Sequence, residues 1–217
     1  MGSIPAPLSQ SKPVFKESWI SVMDTFEPFT ETDIRQLLKK TSNGVCAVDP
    51  MATWLVKDCL DDLISLITNI VNKSLSLGVS SRSMKAALVK PLITKHTMDF
   101  NILKRPVSNL TFLSKDIENA VALHLSKYLI NNNCNQSLQS AYKSGHCTET
   151  ALIRVKNDIM MLIDQGKPII LVLLDLSAAF DTVDHNALFS RLKDMLVLSG
   201  KVLEWFRSYL EQCSQRV

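Results

Sequence analysis

Apolar residues recur at helical spacing through the first third of the chain. Ile34, Leu37 and Leu38 form one stripe, opened by a capping box of Thr30 with Asp33 and closed by Ser42-Asn43-Gly44. Asp49-Pro50 gives a second start signal, a capping acid before a proline. Leu60, Leu63, Ile64, Ile67, Ile70, Val71 and Leu75 then repeat with the same period, and Gly78 is the expected stop. Residues 30–78 therefore read as a small helical layer.

Beyond it the pattern changes. Ala86 to Ile93 is a short apolar run broken by Lys90 and Pro91, and Arg105-Pro106-Val107-Ser108 offers a second extended piece. Together they predict a two-stranded element flanked by bases. Ser114 can cap the next helix, with Ile117, Val121, Leu125, Tyr128 and Leu129 as its buried face and Asn131-Asn132-Asn133 as its end. Thr148 opens another, with Leu152, Val155, Ile159 and Leu162 on one side, broken by Gly166-Lys167-Pro168. Ile169 to Leu174 is an unbroken apolar run between Pro168 and Asp175, the pattern of a strand buried on both faces. Two helices, over 184–196 and 201–212, follow around Ser199-Gly200. The expected class is α+β, mostly helical.

Composition refines this picture. A 217-residue chain with 46% hydrophobic and 21% charged residues can bury a core as one large or two small domains. A net charge of +3 is too small to argue for nucleic acid. Its distribution says more: Arg82, Lys85, Lys90, Lys95, Lys104 and Arg105 stand against the single acid Asp99. Five scattered cysteines with no CxxC pair, and four scattered histidines, give neither a disulfide framework nor a zinc site. The reading is an intracellular, reduced protein, with nucleus and cytoplasm both open. No apolar run is long enough for a bilayer, and the first residues lack a signal-peptide pattern. Pro5, Pro7 and Pro13 mark a flexible tail.

The segment richest in chemistry runs from Leu173 through Asp175, Leu176, Ser177, Ala178, Ala179, Phe180 and Asp181 to His185. A carboxylate at the end of a buried strand is costly unless compensated, and metal ions compensate it in nucleotidyl transfer. Ala178-Ala179 would allow close approach, with Phe180 beside the bound group. A plainer reading stays open on spacing alone. Asp175 can cap a turn, Asp181 or Asp184 can cap the following helix, and Phe180 can be core.

This segment resembles the first catalytic motif of reverse transcriptases from non-long-terminal-repeat (LINE-type, jockey-like) retrotransposons. Four further blocks resemble that family in its order. Asp49-Pro50 with Thr53-Trp54-Leu55 is similar to a stretch ahead of the polymerase fingers. Lys90-Pro91-Leu92 and Arg105-Pro106-Val107-Ser108-Asn109-Leu110 resemble the finger motifs. The stretch from Gln139-Ser140-Ala141-Tyr142-Lys143 to Leu152 resembles the next block. Trp205-Phe206-Arg207-Ser208-Tyr209-Leu210 and Gln215-Arg216-Val217 resemble the segment after the first catalytic motif.

The resemblance implies roles. Asp175 would be the first metal-binding aspartate, and Leu176 would offer its carbonyl to the same metal, Mg²⁺. Phe180 would screen the sugar 2′ position. Arg105 would lie near the incoming triphosphate, where a guanidinium fork suits phosphate, and Lys90 is a weaker candidate for phosphate contact. A solvated face is the alternative for both bases. The implied partners are an RNA or DNA template-primer and deoxynucleoside triphosphates. The implied organisation is a tail over 1–15, a helical extension over 16–80, a fingers-like region over 81–165 and a partial palm over 166–217.

The sequence also departs from the family. Leu103-Lys104 stand where Asn-Tyr usually precedes Arg-Pro, Lys143 stands for arginine, and Cys147 for serine. The family's second catalytic block, an aromatic residue followed by Ala-Asp-Asp, is not found after Asp175. Leu60-Asp61-Asp62 lies upstream within a helical pattern and does not replace it. The expectation is a catalytically incomplete reverse transcriptase remnant. Alternatives are a derived nucleic-acid-binding module, an interaction protein, or part of a longer active polypeptide. An apolar strand without its partners would also favour self-association.

Overall fold

The computed structural model describes residues 21–41, 46–93, 104–134, 136, 138–175, 179 and 182–216, with side chains for all but 90–93, 104–106 and 216. The fold is α+β and mostly helical. Its helices are α1 (Glu31–Lys40), α2 (Thr53–Asp58), α3 (Leu60–Leu77), α4 (Phe112–Asn131), α5 (Thr148–Asp164), α6 (His185–Asp194) and α7 (Gly200–Leu210). Its strands are β1 (Ala86–Ile93), β2 (Lys104–Asn109) and β3 (Ser214–Arg216), and a 3₁₀ turn over Arg82–Lys85 leads into β1. The chain divides into two compact units: 1–132 with 185–217, and 133–184.

The helical layer of the first unit follows the apolar stripes. Ile34 and Leu38 of α1, with Ile64, Ile67, Val71 and Leu75 of α3, pack with Phe112, Ile117, Ala120 and Val121 of α4 and with Trp205 of α7. The α1 capping box forms as expected: Asp33 N–H donates to Thr30 Oγ1 at 3.2 Å, and Thr30 N–H donates to Asp33 Oδ2 at 2.9 Å. The Thr30 hydroxyl, and after it the Thr30 N–H, both donating to Asp33 Oδ2, hold the Asp33 carboxyl below its usual range.

Ahead of α1, the segment from Ser21 is fastened by backbone and ring contacts. Met23 N–H donates to Val197 O and Ser199 N–H to Met23 O, a parallel bridge to Leu198. Asn72 of α3 holds both the N–H and the C=O of Phe29. The Phe29 ring stacks on His124 at 4.3 Å, and burial there pushes the imidazole below its ordinary pKa.

Two start signals act differently from their sequence reading. Asp49 does not cap the helix that follows it, whose N-cap is Ala52. Its Oδ1 instead accepts from Phe112 N–H at 2.9 Å, so it caps α4 from a distant segment. Likewise α4 starts at Phe112 behind the N-cap Thr111, and the expected cap Ser114 lies inside the first turn. Ser114 is held by its hydroxyl, which donates to Met84 O at 2.7 Å.

The sheet has the order β2-β1-β3. β1 and β2 pair antiparallel from Leu88↔Asn109 to Ile93↔Lys104, and β3 adds parallel to β1 at Ala86 to Leu88. Pro91 faces Pro106. Neither proline has an N–H, so the pair suits only a non-hydrogen-bonded position of the ladder, which sets its parity. β3, three residues long, carries no apolar alternation and was not foreseen.

The second unit departs most from expectation. α5 forms behind the N-cap Cys147, but buries none of its residues; Leu152 and Val155 are exposed. The run expected as a doubly buried strand forms no strand or helix, with Ile170 89% and Leu174 90% exposed. That expectation is overturned. Strand geometry needs partners for its backbone N–H and C=O groups, and no described residues pair with this run. Among the described residues no helix is long and apolar enough to cross a membrane.

Gly78 ends α3 in the left-handed region at φ 67°, with Val79 N–H reaching back to Ser74 O. A Cβ there would sit 2.8 Å from Lys201 O. Gly78→Ala is therefore expected to cost stability through both backbone strain and a clash with α7, by ~1–3 kcal/mol. Urea unfolding of parent and variant would measure it. An unchanged midpoint would mean that α3 and α7 do not approach this closely.

Candidate nucleic-acid interface and catalytic segment

Lys90 and Arg105 are placed by the β1–β2 ribbon. Lys90 stands opposite Val107, and Arg105 opposite Leu92. Directly opposed residues share a face, as do residues two apart along a strand. The register therefore sets Lys90 and Arg105 on the same face of the ribbon, two pairs apart along the ladder. Val107, on that face, is 43% exposed.

One of the six bases in the 82–105 cluster has a different task. Lys85 is buried, and its Nζ donates to Ser208 O at 2.7 Å and Glu211 O at 2.9 Å. It satisfies carbonyls at the C-terminal end of α7, where a cation also meets the negative end of the helix dipole. Counting it as a solvent-facing base is thus corrected. Arg82 stays exposed and donates from Nε to Gln212 at 3.2 Å. Lys95 lies outside the described residues.

Asp175 belongs to the second unit, at the exposed end of the unpaired run. Leu176 and Phe180 lie outside the described residues. Among the described residues no group of three His, Cys, Asp or Glu side chains could hold a metal ion. The described donors therefore do not fit a magnesium site, and Asp175 is a single exposed carboxylate. Asp61, rejected above as a catalytic acid, lies in the first turn of α3 and pairs with Arg35 at 2.6 Å.

Sequence reasoning missed the polar seam under the ribbon. Asn109, the last residue of β2, receives Lys115 Nζ on its side chain at 2.6 Å and the Cys46 thiol on its carbonyl at 3.5 Å. Asp49 holds the N-terminus of α4 immediately beyond. Lys115 and Asp116 look like ordinary first-turn helix residues, so only Asp49-Pro50 carried any signal, and it pointed to the wrong helix.

Comparison with known proteins agrees with the motif order. The family described as "Reverse transcriptase (RNA-dependent DNA polymerase)" matches residues 93–217, more than half of the chain. The chain belongs to that family. It is 30% identical over 107 residues to the "Probable RNA-directed DNA polymerase from transposon X-element" of Drosophila melanogaster. The same identity and length relate it to the "Probable RNA-directed DNA polymerase from transposon BS" of that organism. Each match covers 49% of this chain and 12% of the relative, so the chain spans only a small part of the proteins it resembles. The retrotransposon reverse-transcriptase resemblance read from the motifs agrees with both.

The ribbon is expected to give weak, sequence-independent affinity for RNA or DNA, falling steeply with salt as counterions are released. Replacing Lys90, Lys95, Lys104 and Arg105 by Gln should flatten the salt dependence, whereas Lys85 should be left intact. Fluorescence anisotropy with a labelled oligonucleotide over a salt series reads both. Unchanged affinity and slope would make these bases a solvated face only.

Proposed function

We propose that this chain is the fingers-like region and the start of the palm of a retrotransposon reverse transcriptase, preceded by a helical extension. Its ancestral reaction is template-directed DNA synthesis from deoxynucleoside triphosphates on an RNA or DNA template-primer. The observation that carries the reading is the family match across residues 93–217, a span that includes Arg105 and Asp175. The ribbon register, which gathers Lys90 and Arg105 on one face, supports it.

In this reading the helical extension spans 16–80, the fingers-like region 81–165 and the palm portion 166–217. Arg105 and Lys90 would meet the phosphates of the nucleotide, Phe180 would screen the sugar 2′ position, and Asp175 and the Leu176 carbonyl would be two of the ligands for Mg²⁺. Bound magnesium would stabilise charge on the transferring phosphoryl group. The described residues offer no complete ligand set, so no step is assigned to it. Phosphoryl transfer depends almost wholly on positioning and electrostatic stabilisation. The 217 residues by themselves should therefore lack polymerase activity rather than show a reduced one.

Primer extension on an RNA template with Mg²⁺ and deoxynucleotides, using the purified chain and its Asp175→Ala variant, tests this directly. No extension is expected from either. Extension by the parent that disappears in the variant would show that the residues present suffice.

Self-association belongs to the same reading. Five consecutive apolar side chains from Ile170 to Leu174 are exposed on an unpaired segment, an open template for strand pairing. Light scattering after size exclusion should find oligomers for the parent. Val172→Lys with Leu174→Lys should shift them toward monomer. A monomeric parent at high concentration would remove this part of the proposal.

A further inference from the structure

Asp116 lies in the first turns of α4 and is only 2% exposed. Its Oδ1 accepts the Thr41 hydroxyl at 2.8 Å, while its Oδ2, also buried, has no partner. A carboxylate with one buried oxygen unpaired is costly, and the neutral acid, which buries no charge there, is the less costly form.

The surroundings compensate a charge only in part. From α2, Lys57 acts on Asp116, but its Nζ donates to Thr41 O at 2.6 Å. From α4 itself, Lys115 acts on it while bonding Asn109. The segment before α2 contributes Asp49, a second acid, whose own Oδ2 is buried without a partner. The end of α1 contributes the uncharged Thr41 hydroxyl. Burial dominates these influences and pushes the Asp116 carboxyl up to about 7.

The location gives this group leverage. The first turn of α4 ties down both feet of the ribbon. Ser114 bonds Met84 O just before β1, and Lys115 bonds Asn109 at the end of β2. Asp49 adds the bond to Phe112 N–H.

We propose that Asp116 is a proton-dependent positioning residue, which in its neutral form holds the foot of the β1–β2 ribbon against the helical layer and on losing its proton loosens it. The functional consequence rests on the nucleic-acid role proposed for the ribbon; the proton itself does not. The direction follows from linkage. The folded carboxyl titrates near 7, above the unfolded value of 3.8. Below the unfolded value both states hold the proton. Between the two values only the folded state does, so stability falls as pH rises through this window and levels off above it.

The test is urea unfolding of the full chain from pH 5 to pH 8, parent against Asp116→Asn, with amide hydrogen exchange on the same samples. Asparagine keeps an acceptor for Thr41 and cannot ionise. Relative to the variant, the parent's unfolding constant should rise by up to roughly tenfold per pH unit between pH 5 and pH 7, then level off. Exchange at Leu88, Val89, Val107 and Ser108 should accelerate above pH 7 in the parent more than in the variant, and more than in α3. Parallel curves for the two proteins would overturn the proposal. If the asparagine variant does not fold, Thr41→Val serves instead. It removes the bond that favours the anion, so the transition should move to higher pH, and an unmoved midpoint would overturn the proposal. Failure of the chain to bind an RNA oligonucleotide at any pH would count against the ribbon's proposed role, and the exchange profile would still decide the proton.

Discussion

Trp205 is the contact on which the first unit closes. Its ring is buried against α3, stacks on Tyr209 at 5.1 Å, and meets Phe26 and Phe206 edge-on. Its indole N–H donates to Ser74 Oγ at 3.1 Å. A buried tryptophan with its one polar atom satisfied contributes several kcal/mol, of the order lost in Trp→Ala changes, ~3–5 kcal/mol. The contact brings residues 185–216 back to a layer built from residues 21–132. Gly78 and Gly200 permit the approach: a Cβ on either would press on a backbone carbonyl, of Lys201 and Asp24 respectively.

The ribbon depends on that closure. With α7 in place, Lys85 can cap its C-terminal end, Ser80 can bond Ser208, and β3 can pair with β1. The hydroxyl of Tyr209, on the same helix, donates to Glu118 of α4; burial and this acid raise its pKa. So the strands that carry Lys90 and Arg105 are supported on one side by α7 and at their foot by the polar seam of Asp49, Lys115 and Asp116. The bases proposed to meet nucleic acid stand on a scaffold whose parts come from widely separated stretches of the chain.

The second unit shows the opposite situation. Residues 148–164 have strong local helix signals and form a helix, yet none is buried. Residues 169–174 have the composition of an interior strand, yet 170–174 are exposed. Apolar composition can state a demand for burial, but it cannot supply the partner. The family match runs through this unit, and so does Asp175, whose proposed metal role depends on ligands that the described residues do not provide.

Features governed by neighbours along the chain were legible in the sequence. The Thr30–Asp33 capping box, the apolar stripe of α3, its glycine stop and the extended pairing of 86–93 with 105–108 all follow from local geometry. So did the family, because its motifs are ordered along the chain. Features governed by distant neighbours were decided only by the tertiary structure. Asp49 caps α4 instead of α2, its carboxylate accepting from Phe112 N–H; Lys85 is buried where the carbonyls of α7 receive it. Asp116 keeps a buried carboxyl because Thr41 and the seam enclose it. Hydrogen bonding and burial act through space, and a polar residue's partner is known only when the fold has brought one within reach.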